Sequence, residues 1–258
     1  MAASFSRFLF AEWLKFRRSA AMWLMLAGAL FIPVIKLIES FTRSERFASH
    51  TSHVLFWQGH QHECWQLMSL SLLPLGIIFI VSLLFQTEHS QGGWRQMHWQ
   101  PIPQSLVFGG KLMLVLLLAV AFWLIFSAGI WISAMLPAAL IEQAQLPQGN
   151  LFTAAYFARS GKLMLAALPV MALQFVLSMS IRNFLVPVGI GIVLYVSALI
   201  ALQWEYGAFL PYTWPALEFL QKQVAAAQYY PLRWLPYVFS AGFLLCGFAW
   251  YKWKPIKD

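Results

Sequence analysis

Charge is scarce in this chain. Charged residues make up 10% of its 258 positions, against roughly 25% in an ordinary soluble domain. Acids are the scarcer sign: nine in all, of which the one aspartate is Asp258. The apolar runs carry no acid in their middle, which excludes an ion pump built on a buried carboxylate relay. Cysteine is nearly absent. Cys64 and Cys246 lie far apart in the sequence, so no disulfide framework is implied. Gly110-Lys111 is followed by Leu112, and Ser105 stands where a Walker motif needs its upstream glycine, so ATP is not held through that loop. No G-x-S offers a serine nucleophile, and no H-E-x-x-H offers a metalloprotease site. The formal charge is +8, but the basic residues form no face interleaved with aromatics, so nucleic acid is not an expected partner.

Apolar residues are plentiful instead, at 60% hydrophobic and 17% aromatic. That composition belongs to an integral membrane protein, and the length suits one compact bundle over residues 1–258. A bilayer crossing needs about 20 apolar residues. Six runs come near that: Ala20–Ile38, Trp65–Phe85, Leu112–Met135, Leu163–Met179, Phe184–Leu202 and Leu235–Trp250. The expected fold is therefore all-α, with six transmembrane helices. Pro33, Pro74 and Pro169 fall inside runs and predict kinks, since neighbouring helices can satisfy the freed carbonyls.

Residues 1–19 read as an amphipathic helix. Phe5, Phe8, Leu9, Trp13 and Phe16 fall at helical spacing, and Arg7, Glu12, Lys15, Arg17 and Arg18 occupy much of the remainder. Such a helix lies in the membrane interface, rings in the acyl boundary and cations at the lipid phosphates. The apolar run behind it is too long for a cleavable signal. Lysine and arginine set the orientation. With both termini inside, ten of these residues lie in cytoplasmic segments and seven in outer ones. The outer connections then contain His50–Cys64, Pro137–Gly161 and Gln203–Trp234. The last is rich in rings and proline and predicts a re-entrant or interfacial cap.

Between the second and third runs lies Gln86–Lys111, QTEHSQGGWRQMHWQPIPQSLVFGGK. Gly92-Gly93 permits a tight turn. Trp94, Met97 and His98 then share one face of a short helix, which Pro101 and Pro103 end. A rigid helix with a projecting tryptophan suits the groove of a partner protein. It equally suits a lipid surface, with Trp94 and Trp99 as interface anchors. A separate cluster, His50, His53, His60, His62, Glu63 and Cys64, has the donor types of a zinc or copper site. Its spacing matches no closed tetrahedral template, so no metal or other cofactor is assigned.

At these residues the chain resembles the permease subunits of type-2 ATP-binding cassette (ABC) exporters, nearest the lantibiotic-immunity and bacitracin-resistance branch. The likeness is carried by AEWLKFRRS near the start, by Glu88, Gly92-Gly93, Trp94-Arg95, Pro101 and Lys111 in the loop, by LSMSIRNFLVPVGIGIVL from Leu177, and by LPYTWP from Leu210. The branch often has Leu-Pro-Val-Ser-Arg where this chain has Gln100-Pro101-Ile102-Pro103-Gln104. The resemblance implies a non-catalytic subunit in a bacterial inner membrane. Its implied partners are two ABC ATPase subunits, a second permease subunit and the membrane lipids. The coupling residues it implies are Glu88, Gly92, Gly93, Trp94, Arg95, Met97 and Pro101, with Phe5, Phe8, Trp13, Phe16, Arg17 and Arg18 in the interfacial N-terminal helix. The rival from another class is a membrane enzyme or assembly factor using the histidine-rich outer loop.

Overall fold

The computed structural model describes residues 2–51, 53, 55–90, 103–142, 144–229 and 232–253. Among them every regular element is helical. The first helix, α1 (Ala2–Arg17), turns at Arg18-Ser19 into α2 (Ala20–Thr42). The Ser19 hydroxyl donates to the Phe16 carbonyl at 2.8 Å and caps the end of α1. A short helix, α3 (Ser44–Thr51), leads to α4 (Phe56–Leu67). That helix passes through a π turn at Met68–Leu72 into α5 (Leu73–Ser90). Then come α6 (Gln104–Leu140), α7 (Ala154–Ala166), α8 (Leu168–Ser180) and α9 (Leu185–Ala201), and finally α10 (Trp214–Leu220) and α11 (Leu235–Trp253).

Among the described residues four passages are long and apolar enough to cross a membrane: Ala20–Thr42, Phe56–Thr87, Gln104–Leu140 and Ala154–Ser180. The fifth expected run coincides with α9, a shorter apolar helix. The sixth coincides with α11, whose ends are diluted by Tyr237, Trp250 and Lys252. The passages alternate in direction. One end of the bundle therefore holds α1 and the starts of α2 and α6, and is called proximal here. The other end holds α3 and the Leu202–Trp234 connection and is called distal. Only 28% of the apolar window of α2 is buried. Trp23, Phe31, Val34 and Ile38 stand exposed on it, a surface that acyl chains would cover and water would not.

Several helical stretches run further than the apolar runs suggest. The third run was expected from Leu112, yet α6 starts at Gln104 and has 37 residues. Gly109 and Gly110 do not interrupt it. A Cβ on Gly110 would lie 2.5 Å from the Phe8 ring, so the glycine is a seat for α1 and not a break. The segment read as a loop from His50 to Cys64 is largely helical, because Trp57, Cys64 and Trp65 fall on one buried stripe of α4. Close packing elsewhere also rests on glycine. A Cβ on Gly129 of α6 would lie 2.7 Å from Pro33 of α2, and one on Gly247 of α11 would lie 2.4 Å from Val176 of α8.

The prolines behave differently from one another. Pro33 sits within an unbroken α2. Pro74 removes a donor that the Leu70 carbonyl would have used, and the π turn stands just before it. The Tyr195 hydroxyl of α9 donates to that same Leu70 oxygen at 2.9 Å. Pro169 opens α8 after the chain breaks at Ala167.

Part of the distal connection after α9 packs inward as a pad. With 17 residues, α9 is only about 25 Å long, short of the roughly 30 Å of a hydrocarbon core. The connection follows it at the distal end. It folds through Glu205–Phe209, Pro211–Thr213 and α10, with Tyr212, Thr213, Trp214 and Leu217 all buried. The Trp214 indole donates to the Ala208 carbonyl at 2.9 Å. The Ala226 backbone N–H donates to the Leu202 carbonyl at 3.1 Å.

Candidate functional site

The proximal end holds a buried ion pair. Glu12 of α1 and Lys111 of α6 have side chains only 4% and 2% exposed. Lys111 Nζ lies 3.3 Å from Glu12 Oε2, and Lys15 Nζ donates to Glu12 Oε1 at 2.7 Å. Two residues of α1 frame the carboxylate: Phe8, whose ring rests on Gly110, and the fully buried Phe16. Phe8, Glu12 and Phe16 are spaced four apart, so they share one helical face. Burial pushes the Glu12 carboxyl up, but the Lys111 charge and the Lys15 hydrogen bond together hold it below its ordinary value.

Rings enclose the lysine. Its ammonium lies 5.7 Å from the Phe85 centroid at the far end of α5, within the range of a cation–π contact. Phe85 packs edge-on to Phe175 at 5.2 Å, and Phe175 packs edge-on to Phe108 at 5.2 Å. Phe108 in turn meets Phe248 of α11 at 5.2 Å. One charge pair and one aromatic cluster thus join α1, α5, α6, α8 and α11.

A second polar chain begins at His89, one residue before α5 ends. Its Nε2 lies 3.1 Å from the Ser178 carbonyl of α8. The Ser178 hydroxyl lies 3.1 Å from that of Ser82, to which the Gln174 amide donates at 2.8 Å. The same amide donates to the Pro187 carbonyl at 3.0 Å, and the Gln174 oxygen accepts from the Tyr212 hydroxyl at 3.0 Å. Gly191 leaves room for this hub, since a Cβ there would lie 2.8 Å from Gln174 Oε1. The chain runs from the root of the 91–102 segment to the distal pad.

Several expected site residues can be placed. Phe8 and Phe16 face the bundle, whereas Phe5, Trp13, Arg17 and Arg18 are exposed. Glu12, read from the sequence as part of the polar face, lies on the buried one. Glu88 belongs to the last turns of α5, and its side chain lies outside the description. Gly92, Gly93, Trp94, Arg95, Met97 and Pro101 lie outside the described residues. Among the described residues no three of His, Cys, Asp and Glu are grouped so as to hold a metal ion. His60 instead lies 3.0 Å from the Ser133 hydroxyl, and His62 lies 3.0 Å from an Arg159 nitrogen. Lys36 binds Glu39 at 2.9 Å and Glu63 at 2.5 Å.

Sequence reasoning did not single out Glu12, Lys111 or the Gln174 hub as site residues. The signals were present. Glu12 interrupts a phenylalanine stripe at four-residue spacing, and Gln174 is the one amide in the apolar run Leu163–Met179. Polar groups at membrane depth are functional by default.

Helices of this length and apolarity, passing repeatedly through one bundle, define a multi-pass membrane protein. The sequence profile described as "ABC-2 family transporter protein" matches residues 8–198. The chain belongs to that family, so it is a membrane permease of an ABC transporter, a transport component whose relatives generally work with an ABC ATPase. No curated protein matches the chain. No solved structure matches it either.

Proposed function

We propose that this chain is the non-catalytic transmembrane subunit of an ABC exporter in a bacterial inner membrane. It pairs with a second permease and with two ATPase subunits that hydrolyse ATP. The single permease domain crosses the membrane six times, α9 and α11 supplying the last two spans, with both termini and the proximal end cytoplasmic. The observation that carries the reading is that both roots of the 91–102 segment are fastened to other helices. His89 holds the first root to α8, and Lys111 holds the second to α1. A push on Glu88, Gly92, Gly93, Trp94, Arg95, Met97 or Pro101 then reaches the whole bundle and not one helix. Nucleotide-driven closure of the ATPases would supply that push.

The transported compound is amphipathic or apolar, and a lantibiotic-type peptide fits that class. Supporting this, a crevice among α2, α5, α6 and α8 is lined by Met25, Ile77, Val81, Leu118, Phe122 and Met171, with almost no polar surface. The crevice is narrow, about 40 Å³, and offers an apolar group leaving the acyl region apolar contacts.

Two measurements test the reading. Trp94→Ala should weaken ATPase capture about thirtyfold, the equivalent of roughly 2 kcal/mol for a central interface anchor, and leave membrane insertion intact. Normal capture and normal export by this variant would remove the segment from the coupling role. Single cysteines at Ser4 and Ser52, in a background without Cys64 and Cys246, should react with an impermeant reagent from opposite sides. Reaction from the same side would overturn the orientation.

A further inference from the structure

The distal end holds a cavity of about 600 Å³, well within the size range of small-molecule sites, roughly 300–1,000 Å³. It is walled by α2, α3 and α4. Three cations line it, Lys36, Arg43 and Arg46, against two carboxylates, Glu39 and Glu63. Both carboxylates are already engaged. Glu39 and Glu63 share Lys36, and Arg43 lies 3.6 Å from Glu39. Arg46 has no ion-pair partner among the described residues and is exposed on the cavity wall. His50 and His53 stand beside it as further donors, their rings 6.2 Å apart. Part of the lining is apolar: Phe47 packs edge-on to Phe56 at 6.0 Å, and Leu55 is exposed next to Phe56.

We propose that this cavity binds an anion carried on an apolar body, a phosphate or carboxylate with an alkyl tail. Arg46 is the principal anchor, His50 and His53 flank it, and the tail lies against Phe47 and Phe56. The excess cation selects the sign of the ligand. Lys36 is spent on the two carboxylates, so a cationic ligand finds no free acid and meets Arg46 first. A guanidinium offers paired donors to phosphate or carboxylate oxygens. The rings give such a ligand an advantage over a bare anion. The ends of α2 and α4 place the cavity at one edge of two candidate spans, where an amphiphile has one part wet and one part dry. The site is independent of any ATPase, so its test does not rest on the coupling reading.

The test uses the full-length chain in phosphatidylcholine nanodiscs, with hexyl phosphate titrated by calorimetry. Hexyl phosphate should bind at least about tenfold more tightly than inorganic phosphate or hexyltrimethylammonium. Arg46→Gln should weaken it by about tenfold, the equivalent of one charge-assisted contact, and Arg46→Lys should recover most of the loss. Arg46 is exposed, so the variant should keep its elution profile. His53→Gln provides a second variant, with a weaker effect in the same direction. Adding phosphatidylglycerol to the disc separates two sources of the ligand. Competition assigns the site to a lipid headgroup, and undiminished binding assigns it to a free amphiphile. Equal affinity for inorganic phosphate, equal affinity for the ammonium compound, or wild-type binding by both Arg46→Gln and His53→Gln would each overturn the proposal.

Discussion

Replacing Lys111 with methionine should lower the stability of the purified permease by about 3 kcal/mol and abolish export. Removing one partner of a buried ion pair leaves the other charge without compensation, and such losses run at about 3–5 kcal/mol. The lower end applies because Lys15 still reaches Glu12 at 2.7 Å. The double variant Glu12→Gln with Lys111→Met should regain most of the stability, since an apolar replacement of both partners is often neutral. It should not regain export, because the link from the second loop root to α1 is gone. The pH dependence has a definite sign. The Glu12 carboxyl is held below its ordinary value of 4.5, so the pair's contribution is complete above that value and is lost as pH falls through the lowered one. Without Lys111 the largest of the lowering influences is gone, so the carboxyl rises relative to its wild-type position. The gap between wild type and Lys111→Met should therefore narrow on acidification below pH 4.5. Thermal unfolding in detergent from neutral to acid pH reads all of this. An unchanged melting temperature for Lys111→Met, or a double variant no more stable than the single one, would remove the ion pair from the fold's support.

The membrane class and the helical runs were legible because hydropathy is a sum over many residues. Ala20–Ile38, Leu112–Met135 and Leu235–Trp250 each fall within one helix, Trp65–Phe85 crosses the π turn, Leu163–Met179 crosses the break at Ala167, and Phe184–Leu202 overruns α9 by one residue at each end. What the runs could not show is where helices extend past the apolar stretch. Gly109-Gly110-Lys111 looks like a boundary, yet α6 continues through it because the Phe8 ring fills the space a side chain would take. That is a contact over about a hundred positions of sequence, invisible to a window of 20. The same holds for Glu12. Amphipathic reading places acids on the wet face by default, and only the approach of Lys111 reverses the assignment. The proline-rich stretch after α9 gave the strongest signal of irregular packing, and it folds into the bundle as a pad. The histidine cluster matched no metal template in the sequence, and among the described residues no three of its donors are grouped to hold one. His60 and His62 meet Ser133 and Arg159, while His50, His53 and Glu63 line the distal cavity.

Gln174→Leu carries the second large expected effect, because it removes the hub of the polar chain between His89 and Tyr212. Leucine matches the volume but leaves the Tyr212 hydroxyl without its acceptor, and takes the amide donor from both Ser82 and the Pro187 carbonyl. An unsatisfied buried group costs about 1–3 kcal/mol. Interhelical hydrogen bonds in membranes average about 0.6 and reach about 2 kcal/mol. The three losses together should lower stability by roughly 2–3 kcal/mol. Tyr212→Phe removes one of the three bonds and should cost roughly 1 kcal/mol. The double variant should fall short of the sum of the two, since the Tyr212 bond can be lost only once. Export should fall more steeply than stability in Gln174→Leu, while capture of the ATPase stays normal, because the chain links the loop root to the distal pad and does not form the docking surface. The Gly191→Ala variant offers a check by another route. Its Cβ would crowd Gln174 Oε1 at 2.8 Å and should reproduce part of the loss with every polar group kept. A double-mutant cycle on thermal stability, run beside an export assay with the cognate ATPase, separates the outcomes. Strict additivity of Gln174→Leu with Tyr212→Phe, together with unimpaired export, would mean that the polar chain neither supports the fold nor carries motion across it.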